Sequence, residues 1–435
     1  MALPPKILIV GGGVFGLSTA LALTQRHPES QVTLVEASPT IPNPYGSSVD
    51  TSRIVRADYA SAAYSRLAAA AIERWRNTAW GREGRYTQNG LLLVYPDDGA
   101  NSSAREYARK SYNNVKRMEG NKVEFLPSKA DVLRVVPAYG DELDVAGGYV
   151  NWGSGWSDAA AGVRFAREQL EGTNVVFKTG DVQRVLYDSA SNATTGVALS
   201  DGSIISADLV ILATGAWSPK LVDLRGRAVA TGQAIAYMRI SDEEQRALEN
   251  LPTILNFATG IFIIPPRDNL LKIARHAYGY RNPTTVSLGN ETVQVSLPEK
   301  DVPVPAEGQE AFRDALKQLL PRFADRPFCD TRICWYTDTP QGDFIISYHP
   351  AHKGLFLATG GSGHGYKFLP VLGDKIVDAL EGRLEPELQA LWDWNATTPG
   401  AHDLFDGDGS RSGERNSNLK EELAKTRKAG RGSAL

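Results

Sequence analysis

Cysteine is scarce: only Cys329 and Cys334 occur in 435 residues. Two thiols exclude a disulfide framework in a chain of this length and lack the partner spacing of a zinc site, so a reducing compartment is expected. An excess of charge of one sign is missing too. Lys and Arg number 47 against 50 Asp and Glu, a net charge of −3 that leaves no basic footprint for nucleic acid or an anionic membrane. No apolar run approaches the roughly 18 residues of a membrane helix. The first one, Ile7 to Val10, follows no basic leader and flows straight into glycines. The expectation is an intracellular protein with no membrane or nucleic-acid partner. In such a protein the N-x-S/T sequons at Asn101, Asn192, Asn290 and Asn395 are chance matches. Ser433-Ala434-Leu435 is the S-K-L address without its basic residue, which makes the compartment peroxisomal or cytoplasmic. Asp406 to Gly413 has the look of a calcium loop but lacks the closing glutamate; it reads as turns, and no metal is expected.

What is present begins at Lys6. The apolar run Ile7-Leu8-Ile9-Val10 suits a buried parallel strand, and Leu17 to Leu23 continues as an apolar helix. Between them Gly11, Gly13 and Gly16 form G-x-G-x-x-G around Gly12, Val14 and Phe15. The first glycine permits the tight turn, the second lets backbone approach a pyrophosphate, and the third lets helix pack on strand. The new helix aims free N–H groups and its positive end at the phosphates. A second strand, Gln31 to Val35, ends at Glu36, about 20 residues on, where a carboxylate binds ribose hydroxyls. Strand, fingerprint, helix, strand and acid make a dinucleotide site; which dinucleotide is open from these residues alone.

Further along, Ala37 to Ser48 is loop, and Arg53 and Arg56 form an anion-binding pair at the mouth of a helix running from Tyr59 to about Trp75. Gly90 to Tyr95 reads as a strand, and Ala104 to Arg117 as an exposed helix without assignable chemistry. Ser157 or Asp158 caps a helix starting at Ala159, and Val175 to Phe177 is another parallel strand. Ala207 to Trp217 is a buried strand ending in Ala213-Thr214-Gly215, a second contact for the dinucleotide. Between Gln233 and Ile333 strands alternate with loops around one helix, Gln309 to Leu320. Leu270 to His276 is a strand with Lys272, Ala274 and His276 on one face, read equally well as solvent-facing or as part of a site. Gly360 to Gly365, between a strand and a helix near Val371 to Leu380, is a second glycine turn whose N–H groups suit a flavin ring or an anion. The last twenty residues look charged and loosely held.

Cys334-x-Tyr336-Thr337-x-Thr339-Pro340 and Ser362-Gly363-His364-Gly365-Tyr366-Lys367 carry a resemblance to the monomeric sarcosine oxidase branch of the amino-acid oxidase flavoproteins. That branch includes fungal fructosyl amino acid, pipecolate and saccharopine oxidases, and the resemblance runs from Lys6 to Trp394. It implies an α/β fold: an FAD-binding Rossmann-like domain (1–90, 147–225 and 328–385), an interleaved α+β substrate domain (91–146 and 226–327), and an extension at 386–435. It implies FAD bound covalently through a thioether from Cys334 to the flavin 8α position, with Ser52, Arg53, Gly361, Gly363, Gly365 and Lys367 beside the cofactor. It implies Arg56 and Lys367 as a clamp for the substrate carboxylate, Lys272 as the oxygen-activating lysine near flavin N5, and His276 at a substrate-side histidine position. The implied partners are a small amino-acid substrate and O2, and the implied state is a monomer.

Two departures bear on the substrate. The sugar-specific relatives carry an acidic residue four after the lysine, where this chain has His276, and their W-x-W-R pattern is broken because Trp392-Asp393-Trp394 is followed by Asn395. The expected reaction is therefore oxidation of the secondary amine of an N-substituted amino acid to an imine that hydrolyses, with O2 reduced to H2O2. Amadori-product oxidation and a dehydrogenase with a non-oxygen acceptor are the alternatives.

Overall fold

A computed structural model describes residues 3–96, 103–140, 142–289, 291–396 and 409–432. Asn101, Asn290, Asp406 to Asp408 and Ser433 to Leu435 lie outside the described residues.

Ile7, Leu8, Ile9 and Val10 are buried on both faces, which is why this run forms the central strand of a mostly parallel sheet and not a half-wet edge. The six strands lie in the order Ile345–Tyr348, Leu355–Thr359, Leu209–Leu212, Lys6–Val10, Gln31–Glu36, Val176–Thr179, all parallel except the first. Strand order reverses at Lys6–Val10, since the chain next adds Gln31–Glu36 on one side and later Leu209–Leu212 on the other. In sheets of this kind that reversal opens a crevice at the carboxyl ends of the strands, where ligands bind. The helix Val14–Arg26 covers this sheet and is itself covered by Leu372–Leu380, so closely that a Cβ on Gly373 would lie 1.8 Å from the Ser18 carbonyl oxygen.

A second, eight-stranded sheet runs Asp330–Asp338, Val229–Arg239, Leu270–Arg275, Ile261–Arg267, Thr253–Asn256, Leu91–Tyr95, Gly147–Asn151, Val123–Leu126. Gly147–Asn151 and Asp330–Asp338, expected with the FAD-binding part, are hydrogen-bonded into this sheet instead. One face packs on the helix Ala306–Leu319 through Phe312 and Leu316. On the other, the register sets Tyr237 opposite Lys272, Ile235 opposite Ala274 and Gln233 opposite Cys334.

Three further expectations give way. The helix at Ser103–Glu119 is not an exposed one: Tyr107, Ser111, Asn114 and Val115 are buried along one face, a stripe hidden in the sequence because half of it is polar. The region from Gln233 to Ile333 holds a second helix, Asp242–Leu248, opened by a full capping box at Ser241 and Glu244. Of the last twenty residues, the described ones are not loosely held: Leu419–Gly432 is a helix, with Leu419 buried in the core of the eight-stranded sheet and Thr426 Oγ1 accepting the Ala306 N–H at the start of Ala306–Leu319. Amphipathic pairing with that helix outweighs the run of charge.

Candidate active site

Gly11 leaves the central strand at φ +105°, and a Cβ there would sit 2.5 Å from the Ala213 carbonyl oxygen. A Cβ on Gly16 would lie 1.9 Å from the Gly11 oxygen. Glycine is thus required at both positions, at the first by conformation and contact and at the second by contact. Gly13 caps the following helix with no side-chain hydrogen bond, although Ser48 Oγ accepts the Val14 N–H at 3.1 Å. The Glu36 carboxylate accepts from Gly12 N at 2.7 Å, Ser38 N at 3.0 Å and Asn43 Nδ2 at 2.8 Å. A cavity of about 470 Å³ opens over these groups; Gly11, Gly13, Val14, Phe15 and Glu36 line it together with Arg53, Gly361, Gly363 and Gly365. Gly361 and Gly365 lie against the Phe15 ring.

Behind Arg53, against the eight-stranded sheet, lies a buried carboxylate, Asp50, which nothing in the sequence marked. Its Oδ2 accepts from Lys272 Nζ at 2.8 Å and from Arg53 Nη1, and its Oδ1 from Tyr237 OH at 2.6 Å and Thr51 N at 2.7 Å. Burial pushes the Asp50 carboxyl upward, but the charges of Lys272, Arg53 and Arg332 outweigh it and hold the group far below the usual carboxylate range. Lys272 is itself buried, donates also to the Ser52 carbonyl at 2.7 Å, and is pulled down to about 8 by desolvation, with Asp50 opposing. Arg53 reaches on to Cys334 Sγ at 3.2 Å.

Arg53, Cys334 and Gly363 also line a smaller cavity of about 60 Å³, shared with Arg56, His276 and Lys367. Tyr59 ties two of its cations, Arg56 and Lys367, together. Arg56 stacks 4.5 Å from the Tyr59 ring centre, and Lys367 Nζ donates to the Tyr59 hydroxyl at 2.8 Å and to the His364 carbonyl at 2.8 Å. The buried Trp75 indole donates to the Lys367 carbonyl at 2.8 Å and fixes the backbone, while Arg56 donates to the Tyr107 hydroxyl at 3.3 and 3.4 Å. Burial first, and the charges of Arg411 and Arg56 after it, push His276 well below its ordinary value, so its ring is neutral. Among the described residues lining this cavity there is no Asp or Glu.

The segment read as turns packs beside His276 without itself lining the cavity. Ser410 Oγ lies 3.2 Å from His276 Nε2, and Arg411 donates to both oxygens of the buried Asp338 at 2.9 and 2.5 Å. Nothing local marks Ser410 or Arg411; their partners are distant in sequence, His276 for Ser410, and Asp338 with the Ala277 and Ser362 carbonyls for Arg411. Arg53 stands on the short strand Arg53–Val55, paired with Gly155–Ser157, and the helix after it starts only at Ala62, so neither arginine is at a helix mouth. Asp158 is the cap of the next helix, accepting from Ala161 N at 2.9 Å.

A family profile described as FAD dependent oxidoreductase matches residues 6–379. The chain belongs to this family. The amino acid oxidase imqH of Aspergillus flavus is 32% identical over 90% of this chain and 98% of that protein. The L-saccharopine oxidase of Schizosaccharomyces pombe is 29% identical, over 89% and 92%. The crystal structure of the fructosamine oxidase Amadoriase II from Aspergillus fumigatus matches with a TM-score of 0.84 at 26% identity, covering 97% of each chain.

For an FAD-dependent oxidoreductase the residues present fit the cofactor. The larger cavity has an uncapped helix start for the phosphates and a carboxylate at the end of the second strand, and it meets the smaller cavity at Arg53, Tyr336 and Gly363. Among the described residues no helix of this oxidoreductase is long and apolar enough to cross a membrane.

Proposed function

We propose that the protein is an FAD-dependent oxidase of the secondary amine of an N-substituted amino acid. The observation that carries this reading is the smaller cavity: among its cations Arg56 and Lys367 are joined through Tyr59, and its described lining holds no Asp or Glu. Such a pair suits a carboxylate, because charge-assisted hydrogen bonds to it are short and directional. Bound FAD would supply the redox chemistry: a hydride equivalent from the C–H beside the amine nitrogen and the N–H proton leave to give an imine that water hydrolyses, and the two electrons with two protons reduce O2 to H2O2.

The residues do the rest. Arg56 and Lys367 hold the carboxylate and so orient the amine carbon toward the cavity that Arg53 and Tyr336 share with the cofactor space. With no carboxylate in the lining and a neutral His276, nothing there holds a proton on the amine, and the neutral amine is the form that can be oxidised. Lys272 provides the positive charge that oxygen reduction needs as negative charge builds on O2. Glu36 holds the ribose and Gly11 to Gly16 the pyrophosphate. Cys334, on a strand facing both cavities and touched by Arg53, carries the flavin as a thioether. Ser433-Ala434-Leu435 supports a peroxisomal address.

Anaerobic reduction of the purified holoenzyme with sarcosine, pipecolate, saccharopine and fructosyl amino acids tests the reading. Bleaching by an N-alkyl amino acid, followed by peroxide release on admitting air, is the expected result. Bleaching by fructosyl substrates alone would make the protein an Amadori-product oxidase, the reading that the likeness to a fructosamine oxidase favours. Yellow colour that survives acid precipitation, and is lost in Cys334→Ser, tests the covalent bond.

A further inference from the structure

Lys272 and Arg53 are two cations sharing one carboxylate oxygen in a place closed to water. Lys272 Nζ lies 2.8 Å from Asp50 Oδ2, Arg53 Nη1 donates to the same atom, and both Asp50 and Lys272 are buried. Each element packed here contributes a group. Tyr237, across the sheet from Lys272 in register, gives its hydroxyl to Oδ1; Arg332 on the neighbouring strand donates to the Val49 carbonyl at 3.1 Å and adds positive charge; Cys334 lies beyond Arg53; the Phe262 ring centre is 5.8 Å from Nζ. Among the described residues, Asp50 is the carboxylate that faces Lys272 and outweighs Cys334 in holding it charged, against Arg53. Without it, the buried Lys272 would face Arg53 as a like charge, with Arg332 adding to the positive charge around the same carboxylate position. Arginine does not surrender its proton, so relief would come from Lys272.

We propose that Asp50 is a positioning residue for the oxidative half of the reaction: its carboxylate holds the Lys272 ammonium beside Arg53 and keeps it charged while O2 is reduced. The inference rests on the reading of Lys272 as the cation that oxygen meets. In that half-reaction the reduced flavin gives up two electrons, and O2 with two protons becomes H2O2. Negative charge accumulates on oxygen before the protons arrive, and a neutral amine at residue 272 would not stabilise it. Asp50 lines neither cavity; it acts through the two cations it holds, Lys272, which lines neither cavity either, and Arg53, which lines both.

The test is stopped-flow reoxidation of anaerobically reduced holoenzyme across the pH range, in wild type, Lys272→Met, Asp50→Asn and Tyr237→Phe, followed as flavin absorbance so that each rate is per bound flavin. In wild type the rate falls as pH rises through about 8, the value at which Lys272 loses its proton. In Asp50→Asn the same fall is expected at least about one pH unit lower, a rate loss of about tenfold on the alkaline side that is recovered on acidification. A structural defect would not be repaired by acid. Tyr237→Phe removes a hydrogen bond from the same buried cluster but leaves the carboxylate's charge undiluted, so its fall stays at the wild-type pH or moves higher. This variant also keeps the proposal testable if Asp50→Asn does not fold. The proposal is overturned if Asp50→Asn slows reoxidation equally at every pH or not at all, or if Tyr237→Phe moves the fall downward. Slow reoxidation in Lys272→Met with an unmoved profile in Asp50→Asn overturns the role of Asp50 and leaves that of Lys272 standing. Wild-type reoxidation in Lys272→Met overturns both.

Discussion

The charge on Lys272 changes near pH 8 because burial removes water from an ammonium that Asp50 compensates only in part. The folded-state value lies below that of an exposed lysine, so the cation is present below about pH 8 and lost above it. Reoxidation of the flavin therefore slows on the alkaline side, while Lys272→Met leaves reduction by substrate largely intact and slows reoxidation by orders of magnitude at neutral pH; separate reductive and oxidative stopped-flow measurements check this. Arg56→Gln or Lys367→Gln removes one charge-assisted contact worth about 1.5–3 kcal/mol, so the substrate Kd in anaerobic titration rises about 10- to 100-fold. His276, neutral already, contributes no ionisation near neutrality. At this scale the sequence carried much: Arg53, Arg56, Cys334, His276 and Lys367 all line one small cavity. It did not carry Asp50 or Tyr107, because a lone acid in a loop and a tyrosine in a polar helix look ordinary until the partner strand and the guanidinium arrive beside them.

The elements that position these groups fall into two kinds. The glycine turn after Lys6–Val10 is set by local necessity: Gly16→Ala would drive a methyl into the Gly11 carbonyl, and the expected outcome is a protein with little bound flavin, read from the flavin-to-protein absorbance ratio and a lowered Tm. It was legible because the positive φ of Gly11 and the contact of Gly16 with the Gly11 oxygen are local, although the Ala213 carbonyl that also excludes a side chain at Gly11 comes from a distant strand. The segment 409–418 is set from far away. It lies along Ala277 to Arg281 through paired backbone at Ser412 and Asn418, and its Arg411 meets Asp338 out of water. Arg411→Ala removes the buried cation from that carboxylate and costs about 3–5 kcal/mol, measured by denaturant unfolding of the holoenzyme. No pattern in the tail announces this, since its polar residues are what an exposed turn would also contain.

Across the whole molecule, the candidate site lies where the carboxyl ends of one sheet approach one face of another. The first sheet contributes backbone and Glu36; the second contributes Lys272, Cys334 and the histidine that follows Leu270–Arg275. Periodicity and glycines foretold the strands of the first sheet. The assignment of Gly147–Asn151 and Asp330–Asp338 to the second depended on pairings between distant segments, which no local window contains. The same interleaving has a kinetic side. In the six-stranded sheet Ile7 pairs with Leu209 and Val210 with Leu355, so the cofactor crevice closes only after strands from the beginning, middle and later part of the chain have found one another in parallel. Parallel pairings of such long range are slow to form, because the entropy of closing each loop is lost before any contact repays it. Folding will therefore lag behind synthesis, leaving apolar strand edges exposed for a time. Expression at lower temperature and with ample flavin, which binds the closed sheet and not the open chain, should raise the soluble yield more than any single stabilising substitution.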